Sequence, residues 1–99
     1  MTAHVLTLTV DLQIGSARSL KDKRAVVTPI LEGSRRRFLV AASETGRQDL
    51  HQRAELSFAA VSGAAAHSSE VIDTVERFVW SFPEVDVVAA RRHWLEVDA

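Results

Sequence analysis

Ninety-nine residues, 46% of them hydrophobic and 25% charged, with a net charge of -1, describe one domain spanning 1–99 with a single core. The absence of cysteine excludes disulfides and thiolate-based metal or redox chemistry. No apolar run approaches the roughly 18 residues needed to cross a bilayer, and the N-terminus lacks the basic-then-apolar pattern of an export signal, so a cytoplasmic protein is expected.

The charge is unevenly spread. Nine basic residues stand against four acidic ones between Gly15 and Arg53, and three against eight in residues 54–99. Such asymmetry can mark a face for an anionic partner, or simply reflect helices with differently charged solvated faces.

In chain order, residues His4 to Ile14 alternate strictly. Leu6, Leu8, Val10, Leu12 and Ile14 lie on one face, and Thr7, Thr9, Asp11 and Gln13 on the other. A long strand with one apolar face belongs in a sheet whose helices cover that face. The chain then breaks at Gly15-Ser16, and Ser19 is placed to cap a helix with Asp22 three residues on. This first helix is expected over Leu20 to Arg37, with Leu20, Val27, Ile30 and Leu31 inward and a kink or early end near Pro29. The run Arg35-Arg36-Arg37 suits a helix C-terminus.

Phe38 to Glu44 reads as a second strand. A polar connection over 45–52, long enough for a mobile or partner-shaped tip, leads to a third strand at Arg53 to Ser62. A second helix follows, opening within Gly63–Ala66 and reaching about Ser81, with Val71, Val75, Phe78, Val79 and Phe82 inward and Pro83 as the stop. A last strand starts near Val85 and continues through Trp94. The order β-α-β-β-α-β predicts a ferredoxin-like α+β fold: a four-stranded antiparallel sheet with both helices on one face and the first and third strands central.

Two segments are more specific. Ser16 to Arg24 (SARSLKDKR) and Gln48 to Leu56 (QDLHQRAEL), with Val10-Asp11-Leu12 in the first strand and a last strand carrying Trp94, resemble the YlxP-like family, bacterial domains of unknown function. The resemblance implies a small ferredoxin-like domain whose genes neighbour those of transcription termination, translation initiation and ribosome maturation. It therefore implies RNA or ribosome-associated work. The chain departs from many members in having Arg47 for His, His51 for Trp and Ser57-Phe58 for Gly-Val.

Two groups of residues are candidates for binding. Arg18, Lys21, Lys23 and Arg24 crowd the start of the first helix, where the macrodipole disfavours cations, so a phosphate backbone would offset their cost. Alternatively they solvate an exposed turn. Gln48, Asp49, His51, Gln52 and Arg53 gather on the loop before the third strand. These serve either as a polar contact surface or as ties, Arg53 pairing with Asp49 or Glu55 and Gln52 bonding backbone.

No catalytic set, metal site or cofactor is expected, since His4, His51, His67 and His93 are scattered without ligand spacing. The open sheet face lacks the aromatic platform of RNA-recognition motifs. Ala59, Val61, Val88 and Trp94 are expected near it, and with them homodimerisation by sheet packing or strand addition, Trp80 and Trp94 serving as packing residues. The reading is a non-enzymatic, dimeric domain contacting RNA or a ribonucleoprotein through the basic helix and loop. The alternative is a small-molecule-binding or accessory protein of a biosynthetic enzyme, with a pocket at the sheet or dimer interface.

Overall fold

The computed structural model describes residues 1–98. Six elements follow in order: β1 (Thr2–Gln13), α1 (Leu20–Phe38), β2 (Ala41–Gly46), β3 (Arg53–Ser62), α2 (Ala65–Trp80) and β4 (Asp86–Asp98). The sheet runs β2-β3-β1-β4 with every neighbouring pair antiparallel. This is the ferredoxin-like α+β fold, with β1 and β3 at the centre.

The alternation in β1 decides the layering. Leu6, Leu8, Val10 and Leu12 are fully enclosed with Leu56, Phe58 and Ala60 of β3, Val27, Ile30 and Leu31 of α1, and Ile72, Val75 and Val79 of α2. Each large side chain so enclosed contributes roughly 1.5–3 kcal/mol relative to leaving it exposed. Directly opposed residues in an antiparallel pair share a face. Thr7, Thr9 and Asp11 therefore lie with Ala59, Ser57 and Glu55 on the uncovered side.

Several boundaries differ from expectation. α1 crosses Pro29 without ending, because the inward positions on both sides of the proline, Val27, Ile30, Leu31 and Ser34, are all buried and hold the turn in place. It stops instead at Leu39, which adopts a left-handed conformation (φ 56°) and donates its N–H to the Arg35 carbonyl, so β2 begins at Ala41 and not at Phe38. Leu20, expected inward, is instead exposed at the first position of α1. Trp80 and Trp94 are 60% and 50% exposed and are not packing residues of the isolated chain. Trp94 faces Leu6 across the β1–β4 ladder, which puts it on the helix side of the sheet, not on the open face.

Gly33 has a packing role. The ring of Phe78 lies over it and stacks edge-on against Phe38 and Phe82, at centroid distances of 5.4 and 5.1 Å. A Cβ at position 33 would stand 2.7 Å from Phe78 Cζ. Gly33→Ala gains about 1 kcal/mol in helix propensity, but displacing a ring held by two aromatic neighbours costs about 1–3 kcal/mol. The variant should unfold at lower urea than the parent; a higher midpoint would mean that the ring yields freely.

Candidate functional site

The two motif segments, about thirty residues apart in sequence, meet at one end of the molecule. The Ile14 N–H donates to the Gln52 carbonyl (2.8 Å), and Gln52 Nε2 returns to the carbonyls of Gly15 (3.3 Å) and Ala17 (3.2 Å). Gln52 thus bonds backbone, as one of the two readings held. Next to this tie α1 begins. Ser19 Oγ accepts the Asp22 N–H (3.0 Å), and the Asp22 carboxylate accepts the Arg18 N–H (2.9 Å). This reciprocal cap fixes the direction in which the helix leaves the sheet.

Lys23 lies beneath the surface. It is 2% exposed, and its ammonium sits 2.8 Å from Glu44 Oε2 of β2. It also donates to the carbonyls of Arg47 (2.9 Å), Arg53 (3.2 Å) and Gln48 (3.4 Å). The side chain occupies the inward stripe of α1, Lys23-Val27-Ile30-Leu31-Ser34, and pins the β2–β3 connection from inside. A side chain so enclosed cannot reach a partner, so Lys23 leaves the group of candidate contacts. Its helical spacing from Val27 and Ile30 was the signal for this. The connection it holds is a compact turn, with Arg47 left-handed (φ 59°) and the Leu50 N–H bonded to the Arg47 carbonyl (3.1 Å).

Asp11 is a second organiser that sequence reasoning passed over as an open-face residue. Half-buried on β1, it receives Arg47 Nε (3.0 Å) and Nη2 (3.3 Å), with Arg53 Nη2 at 3.4 Å. Arg53 therefore pairs with Asp11 and not with Asp49 or Glu55. Glu55 instead accepts Thr45 Oγ1 (2.7 Å). Gln48 Nε2 is turned back to the Glu44 carbonyl (3.3 Å). Asp49 and His51 are exposed at the tip, and among the described residues neither side chain has a hydrogen-bonding or ionic partner. No base oriented by a neighbour is assembled from them.

Arg18, Lys21 and Arg24 remain as the outward-facing cations. The chain has twelve lysines and arginines. Lys23, Arg36, Arg47, Arg53 and Arg92 are ion-paired. Arg35 bonds the Ala42 carbonyl, Arg37 lies over the Phe78 ring and Arg77 reaches Thr74. Among the described residues only Arg18, Lys21, Arg24 and Arg91 have no such partner, and three of these share the start of α1. Lys21 and Arg24 are three apart, on neighbouring positions of one helix face. The positive half of the chain therefore does not gather into one surface with the loop. Its unpartnered charge is concentrated at the helix start, resting on a loop whose two arginines share the single carboxylate of Asp11.

Open concavities of about 530, 420, 390, 330 and 210 Å³ occur on other parts of the surface, and none is lined by Arg18, Lys21, Arg24 or the 47–53 loop.

Comparison with known proteins agrees with the motifs. Residues 5–92 match a family model described as a protein of unknown function, DUF503. The chain is also 40% identical over 81 residues to the uncharacterized protein YlxP of Bacillus subtilis (strain 168), covering 82% of this chain and 88% of that one. A match that takes in both the helix start and the loop it rests on, and most of the length besides, makes this chain a member of the DUF503, or YlxP-like, family.

Proposed function

We propose that this domain is a non-enzymatic binding module that lays the start of α1 against the phosphate backbone of an RNA, alone or in a ribonucleoprotein. The observation that carries the reading is the cluster of unpartnered Arg18, Lys21 and Arg24 at a helix N-terminus, where cations are unfavourable without an anion nearby. Lys23 and Gln52 support it indirectly by holding the helix start and the loop as one rigid end. Contacts of this kind position an RNA without reading its sequence.

The rival small-molecule reading points to the concavity of about 530 Å³ bounded by Trp80, Arg77, Asp73 and Glu76. Its central cation, Arg92, is already bonded to Asp73 (2.8 Å) and Glu76 (2.9 Å). Burial works against that charge, but the two carboxylates prevail and raise its pKa above the ordinary arginine value. No convergent polar group is left over for a ligand, which favours the first reading.

Fluorescence anisotropy with a labelled single-stranded RNA across a salt series tests the proposal. Each phosphate contact adds about -0.7 to the slope of log K against log salt, so Arg18→Ala/Lys21→Ala/Arg24→Ala should flatten the slope by roughly 2. The triple variant changes exposed side chains and should keep its stability within about 0.5 kcal/mol. An unchanged slope in a folded triple variant would remove the RNA reading, and ligand-dependent thermal stabilisation by a small molecule would replace it with the rival.

A further inference from the structure

The concavity of about 530 Å³ between α2 and β4 has Trp80 on its wall. Tryptophan is a highly buried residue on average, yet here the last residue of α2 is left 60% exposed. The charges around it are matched. Asp73 and Glu76 each give one oxygen to Arg92, and Arg77 adds a cation that bonds the Thr74 hydroxyl (3.2 Å) and, among the described residues, no carboxylate. What the site offers is therefore a flat aromatic ring in neutral surroundings.

We infer that Trp80 stacks an unpaired base of the same RNA whose phosphates meet the start of α1, which makes the partner single-stranded; the inference rests on the RNA reading above. Chain topology brings the two places to one end of the molecule. β1 leads into α1 after Gln13, α2 leads into β4 at Asp86, and Gln13 and Asp86 are paired. The helices are in contact, the Phe78 ring lying over Gly33, so their axes are about 8–10 Å apart. Phe78 faces α1, whereas Trp80 shares with Asp73 and Glu76 the side of α2 that meets β4. A strand bound at α1 must cross the end of α2 to reach the ring. An unpaired strand can splay a base out to do so, while a duplex keeps its bases stacked on one another. Glu84 and Asp86, exposed on the segment after α2, disfavour a phosphate on that side, so a base and not the backbone is received there. Stacking of this kind tolerates any sequence, because every base has a π-face. That agrees with phosphate contacts that position without reading. Trp94 is no equivalent, since it lies about 26 Å along β4 from the Asp86 end.

Trp94→Phe leaves Trp80 as the one tryptophan of the chain. Its fluorescence should be quenched as a single-stranded uridine oligonucleotide is added, and should be unmoved by an RNA duplex of the same length. Trp80→Ala should weaken binding of the single strand roughly 5- to 150-fold, the range for one base–aromatic stack. Duplex affinity and the salt slope should not change, because the indole carries no charge, and Trp80→Phe should recover part of the loss. Single-stranded RNA bound with the full salt slope but without quenching, or bound equally well by Trp80→Ala, would overturn the stack and leave the phosphate reading standing. Equal losses for single strand and duplex would overturn it by making Trp80 a scaffold residue. Failure of the parent chain to bind either RNA would remove both readings and leave the ring to a protein partner.

Discussion

Lys23→Met should lower the free energy of unfolding by about 3–5 kcal/mol, a large part of the roughly 5–15 kcal/mol available to a domain of this size. The substitution keeps the length of the side chain but removes the ammonium. Glu44 and the carbonyls of Arg47, Gln48 and Arg53 would then lose their common donor inside the protein. Glu44 retains some access to water (21% exposed), which places the effect toward the lower end of that range. Lys21→Met, two residues earlier and exposed, should change stability by no more than about 0.5 kcal/mol. The pair of urea titrations therefore separates burial from charge. Hydrogen exchange adds a local readout, because the 47–52 turn should lose protection in Lys23→Met before β1 and β3 do. Equal small effects from both lysines would mean that the ammonium is not held as described. Replacing Glu44 by leucine in the Lys23→Met background should recover part of the loss, since an orphaned carboxylate costs more than an apolar pair.

Phe58→Ala is expected to cost about 3–5 kcal/mol. The ring is 1% exposed on β3, opposite Leu8 of β1 and Ala42 of β2, in the layer under both helices. Its immediate neighbours on the same sheet face, Leu56 and Ala60, cannot grow to fill the space, and the backbone is held by ladders on both sides. Phe58→Leu, which keeps most of the volume, should lose clearly less. Serine at the adjacent position 57 faces the other way and bonds Thr9 Oγ1 (3.0 Å), so Ser57→Ala should cost about 1 kcal/mol or less. Guanidinium titration of the three variants checks the order. If Phe58→Ala and Ser57→Ala were equally mild, the core would not be where the alternation puts it.

How much of this was legible follows from which interactions are local. The β1 and β3 faces were readable because a period of two in a half-buried strand allows only one way to turn the apolar set inward. The cap at Ser19 was readable because its partner, Asp22, is three residues away. Pro29 misled the expectation for α1, because a local helix-breaking penalty was weighed without the burial on both sides that overrides it. Arg53 was assigned to Asp49 or Glu55, its sequence neighbours, while its real partner Asp11 lies on another strand at a register only pairing creates.

By itself, the sequence determined the element order, the inward stripes, the family and the two segments that bear on partners. Those features rest on periodicity, capping and spacing, which act over a few residues. The tertiary structure alone decided which cations face outward. Lys23 and Arg24 are adjacent and chemically alike, yet one is sealed against Glu44 and the other meets solvent. Rotation about the α1 axis, set by packing on the sheet, makes that distinction.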